Sequence, residues 1–144
     1  MATAEHADEP RVADGGSDFA RRAFVVVAWL FVACLVVQFF LVGLDVFEAL
    51  GESELHRDFA YTYGWLAPGL VLLAGLARLP RRVLGLAVVL LILYAVQTYL
   101  PLMADRLPTI AAFHAVNALL VFWVAVRLAR AVPWNPDTGG TAGA

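Results

Sequence analysis

Four apolar runs, each close to the length that crosses a bilayer, leave this chain few ways to fold. A helix needs about 20 apolar residues to span the hydrocarbon. The runs cover residues 23–44, 59–77, 83–100 and 109–126. Polar members stand out for their rarity: Gln38 in the first run, Gln97 and Thr98 at the end of the third, His114 and Asn117 in the fourth. None of the runs alternates with the period of two that a membrane strand requires. A helix, moreover, satisfies its own backbone without closing a barrel. The breakers fall between the runs: Gly51, Glu52 and Ser53, then Pro80 with Arg81 and Arg82, then Pro101, Asp105 and Pro108. Connections this short force neighbouring helices to run in opposite directions. The expected fold is therefore all-α, an integral membrane antiparallel four-helix bundle. Pro68 lies inside the second run and predicts a kink there.

Composition agrees. Of 144 residues, 62% are hydrophobic and 15% charged, against about 45–50% and about 25% in an ordinary soluble domain. The net charge of −2 argues against a nucleic-acid partner, which would want a basic surface. A lone cysteine, Cys34, excludes a disulfide framework within one chain. The first run is longer than the apolar core of a signal peptide and reads as a retained span. The expected organisation is a disordered cytoplasmic leader over 1–20, a transmembrane domain over 21–131 and a disordered cytoplasmic tail over 132–144. No internal repeat stands out at the level of motifs.

All ten basic residues are arginines, and their distribution orients the chain. Arg11, Arg21 and Arg22 precede the first run, Arg78, Arg81 and Arg82 join the second to the third, and Arg127 and Arg130 follow the fourth. Only Arg57 and Arg106 fall on the opposite side. The positive-inside rule places the eight-arginine side in the cytoplasm. Both termini are thus expected inside, in a multi-pass protein of the cell membrane. Its expected partners are the lipid bilayer and either a membrane subunit or further copies of the chain.

An ionisable side chain inside a span is costly and asks for a reason. His114 lies about 9 Å along its helix from Pro108 at about 1.5 Å per residue. His56 lies at the start of the second helix, for which Ser53 is a candidate N-cap. The two histidines fall on alternate helices at the same, outer end. Such helices can face each other diagonally, an arrangement able to hold a haem iron between two imidazoles. This makes His56 and His114 candidate ligands of a b-type haem. Gln38, Gln97 and Asn117 are candidate cofactor contacts, and Glu54 and Arg57 flank His56 as candidates to orient it or to pair a propionate. Two other readings stand beside it. The polar residues can simply bond between helices in a cofactor-free structural or accessory subunit. Alternatively, Gln38, Gln97 and Tyr94, with Tyr61 and Tyr63 nearby, can line a small-molecule or quinone site. No CxxCH, HExxH, phosphate-loop or GxSxG motif is present, so nothing indicates an enzyme.

Two resemblances follow from particular segments. Gln38-Phe39-Phe40-Leu41-Val42-Gly43-Leu44, Glu54-Leu55-His56-Arg57, Gln97 and Phe113-His114-Ala115-Val116-Asn117-Ala118 resemble a family of small four-helix prokaryotic membrane proteins of unknown function, over roughly residues 22–130. More distantly, Glu54-Leu55-His56-Arg57 and His114 resemble one four-helix half of heme A synthase in order, helix and side of the membrane. That likeness implies His56 and His114 as axial ligands and a single haem site. The glutamate here stands two residues before the histidine, where that family places it three before.

Overall fold

A computed structural model describes residues 14–47 and 54–134. Among these residues the chain is all-helical. The helices are α1 (Asp14–Val46), α2 (Leu55–Tyr63), α3 (Leu66–Leu76), α4 (Arg81–Tyr99), α5 (Pro108–Ala111) and α6 (Phe113–Ala129), with a 3₁₀ turn over Leu100–Met103 after α4. They group into four segments long and apolar enough to cross a membrane: 15–46, 55–76, 81–103 and 108–129. The segments extend past the apolar runs, because helix continues into polar flanks that hydropathy leaves out. α1 begins at Asp14, inside the stretch expected to be a disordered leader, and the second segment begins at Leu55 rather than Phe59. Ser53, the expected N-cap, lies outside the described residues. Glu54 stands at the cap position, without a side-chain capping bond.

The second segment breaks where its sequence requires. Pro68 has no N–H to give to the Gly64 carbonyl, and its ring crowds that carbonyl. Gly64 instead accepts a tighter bond from Ala67 N–H at 3.1 Å, and the helix interrupts at Gly64 and Trp65. The fourth segment has a shorter interruption at Ala112. α3 ends in a Schellman motif, with Leu79 N–H bonded to the Ala74 carbonyl and Arg78 N–H to that of Gly75. Arg78 takes the left-handed position at φ 50° that glycine usually fills.

α1 and α4 each pack against both α3 and α6. The second and fourth segments therefore lie on one diagonal, and the first and third on the other. Small residues recur among the buried positions: Ala28, Ala67, Ala74, Ala87 and Ala125 are all buried. Small residues let backbones approach closely, which is how helices associate when no hydrophobic force drives them together. Phe24, Phe31, Leu70, Leu90 and Leu128 fill the core between them, and other large side chains turn outward. Val26, Leu72, Ile92 and Leu119, one from each segment, are 52–64% exposed.

Candidate functional site

Toward the end of the helices that carries the 48–53 and 104–107 connections, the tight packing gives way to a cavity of about 570 Å³. Two of its lining residues, Tyr63 and Tyr94, pack on Phe31 behind them. Phe31, Tyr63 and Tyr94 meet edge to face, with ring centroids 5.4, 5.6 and 5.5 Å apart. Tyr94 O–H donates to the Ala60 carbonyl at 2.6 Å, tying α4 to α2. Gly64 makes this contact possible. A Cβ there would lie 2.7 Å from Tyr94 Cε1 and 3.1 Å from its hydroxyl. The break at Gly64 and the seat of Tyr94 are thus one feature.

Two histidines face the cavity from diagonal segments. His56 and His114 both line it, and their ring centroids are 6.4 Å apart with the planes at 70°. Each is held by a glutamine from the preceding segment. Gln38 Nε2 donates to His56 Nδ1 at 2.9 Å and to the His56 carbonyl at 2.8 Å. Gln97 Nε2 donates to His114 Nε2 at 3.0 Å, and His114 Nδ1–H donates to the Gln97 carbonyl at 2.9 Å. Asn117 donates to Gln97 Oε1 at 2.7 Å and to the Leu93 carbonyl at 2.9 Å. That chain of bonds fixes the Gln97 amide, because its oxygen must face Asn117 and its nitrogen His114. Gln38 Oε1 is buried with no partner among the described residues.

The structure brings five of the seven residues singled out in the sequence to the cavity wall: Gln38, His56, Arg57, Gln97 and His114. Asn117 lies behind the wall, where it orients Gln97. Glu54 stays outside and pairs with Arg57, which also contacts Asp58. Tyr61, Tyr63 and Tyr94 line the cavity too. Sequence reasoning missed Gly64, the Tyr94–Ala60 bond and the pairing of each histidine with its own glutamine. The last had a visible signal: the two pairs are separated by 18 and 17 residues. Among the described residues, no group of three or more histidine, cysteine or carboxylate side chains converges as a metal site would, so any metal here would rest on the two imidazoles and a ligand of its own.

A family of unknown function (DUF6220) matches the chain over residues 38–104. The chain is similar to this family. The match takes in Gln38, His56 and Gln97, stops short of His114, and covers just under half of the chain. Neither a curated protein nor a solved structure matches.

Proposed function

We propose that this chain is an antiparallel four-helix bundle of the cell membrane, with both termini cytoplasmic, that holds one b-type haem between His56 and His114. Its outward apolar side chains support the bilayer setting, since a surface of Val26, Leu72, Ile92 and Leu119 suits lipid and not water. The arginines support the orientation. Arg78 takes a strained backbone position, and Arg81 and Arg82 open α4, where the helix dipole disfavours cations. Local stability does not explain them, whereas a cytoplasmic headgroup layer does. On the same expected face Arg127, in the last turn of α6, lies 5.3 Å over the Trp123 ring, a cation–π pairing.

The single observation behind the haem reading is the 6.4 Å separation of the two rings across one cavity. A metal bonded at about 2 Å to a nitrogen of each imidazole would hold the ring centroids about 6 Å apart. The donor set fits such a group. His114 gives Nδ1–H to a backbone carbonyl, which leaves Nε2 with its lone pair, the usual state of a ligating histidine. His114 Nε2, which accepts from the Gln97 amide, would be the atom that holds the iron in place of that bond. His56 carries its proton on Nε2, because Nδ1 accepts from Gln38. Were His56 Nε2 to hold the iron, the proton would sit on Nδ1, and Gln38 would turn its amide to offer Oε1, giving up its bond to the His56 carbonyl. Arg57 lines the cavity and would pair an anionic edge by exchanging Glu54 or Asp58 for it. The likeness to one half of heme A synthase points the same way. Bound haem would supply one-electron chemistry, with the apolar wall and the imidazoles setting its potential; electron transfer, haem handling and sensing all draw on that property.

The buried Gln38 Oε1 also favours a second reading, in which a quinol or similar molecule donates a hydroxyl to it. One experiment separates the two. The purified protein is titrated with iron protoporphyrin IX and its absorption recorded. A sharp low-spin band that His114→Ala abolishes supports haem. No band, or one indifferent to His114→Ala, overturns that reading.

A further inference from the structure

We infer that the described chain is two copies of one helical hairpin and that the cavity is their shared two-fold site, so that a ligand meets the same bonding group from each copy. Adding 59 to a residue number in the first segment, or 58 in the second, gives its counterpart in the other half. Under this shift Gln38 falls on Gln97 and His56 on His114, the two hydrogen-bonded pairs of the site. All four buried residues of α4, Val83, Ala87, Leu90 and Tyr94, land on buried residues of α1: Phe24, Ala28, Phe31 and Leu35. In the second segment Ala67 and Leu70 correspond to Ala125 and Leu128, all buried, and exposed Trp65 corresponds to exposed Trp123. The packing repeats as well, since α1 lies on α3 as α4 lies on α6. Between the two amide–imidazole pairs and the shared alanines, the identities fall where chemistry or close approach constrains the residue. Elsewhere one apolar side chain replaces another freely.

The halves differ in an informative way. Tyr94 replaces Leu35, Arg57 stands against Ala115, Tyr63 against Val121, and Gly64 against Phe122. Among the residues that line the cavity, these polar substitutions (Arg57, Tyr63 and Tyr94) lie on the second and third segments, whereas the wall from the first and fourth is apolar apart from Gln38 and His114. Gln97 is backed by Asn117, whose counterpart is Phe59. The site is thus two-fold at its centre and one-sided at its wall. The ligand class that matches has two equivalent opposite bonding positions and a single polar edge. On the haem reading, on which this part rests, the two halves would hold the iron through equivalent histidines, His56 and His114.

Two measurements on the full-length protein, with Cys34→Ser, decide the matter. Spin labels on the exposed positions 30 and 123 make one pair, and labels on their counterparts 89 and 65 make another. Dipolar spectroscopy should return the same distance for both, because a two-fold axis exchanges the pairs. Unequal distances overturn the repeat, whatever the protein binds. Separately, iron protoporphyrin IX is titrated into His56→Ala and His114→Ala. Loss of the low-spin band in both supports two-fold use of the site. A band that survives in one variant and not the other overturns it. Equal label distances with no haem uptake by the wild type would support the repeat and overturn only the haem reading.

Discussion

Replacing Gly64 by alanine tests the link between the break in the second segment and the wall of the cavity. The added methyl would lie 2.7 Å from Tyr94 Cε1 and 3.0 Å from the Ala60 carbonyl. Tyr94 cannot yield easily. Its ring is packed edge to face against Phe31 and Tyr63, and its hydroxyl is bonded to Ala60. Overpacking of this kind costs about 1–3 kcal/mol. Loss of the hydroxyl bond adds about 0.5–1.5 kcal/mol. Alanine returns about 0.5–1 kcal/mol through its better helix propensity. The net expectation is a destabilisation of about 0.5–4 kcal/mol, combining those terms. Gly69→Ala is the matched control, because nothing lies within 4 Å of its Cβ position. It should be neutral or stabilise by up to about 1 kcal/mol. Equilibrium unfolding in mixed micelles, followed by circular dichroism, measures both. Gly64→Ala/Tyr94→Leu should recover part of the loss, since the clash then has no ring to meet. If Gly64→Ala is as stable as Gly69→Ala, the proposed coupling of glycine, tyrosine and cavity wall is wrong.

Three further outcomes follow. Asn117→Ala removes both hydrogen bonds that orient Gln97 and should cost about 1–2 kcal/mol in the same unfolding assay, near the upper end for polar contacts between membrane helices. A cost below the scatter of exposed-site controls would remove Asn117 from the network. Arg78→Gly relieves a left-handed residue at the end of α3 and should stabilise by about 0.5–1 kcal/mol; a loss would show that the arginine side chain matters more than its backbone. A reporter fused after Ala144 should be active only in its cytoplasmic form, and activity on the outer side would invert the arginine-based orientation.

The four segments were legible because hydropathy reports on the solvent directly: no other distribution of Val, Leu and Phe is stable against lipid. Pro68 announced its kink for an equally local reason, a missing donor. Segment ends were less legible. Asp14–Ala20 and Leu55–Asp58 are helical although too polar for a hydropathy window, since helix does not stop where lipid does. His56 and His114 could be placed on alternate segments from order alone, and they do line one cavity. Their glutamine partners could be named but not paired, because pairing depends on rotation about each helix axis. The hairpin repeat stayed hidden for a different reason. Lipid and an apolar core accept Phe31 for Leu90, so most positions lost their identity. Gly64 was invisible as a site residue, because its role is a close approach by a tyrosine 30 residues away.

The most direct test of the central claim, that His56 and His114 share one haem, is the electron paramagnetic resonance spectrum of the oxidised protein loaded with iron protoporphyrin IX. Two imidazoles on one ferric iron give a six-coordinate, low-spin signal, and the account predicts that signal as the dominant species. A high-spin spectrum would mean that at most one histidine reaches the metal, and would contradict it.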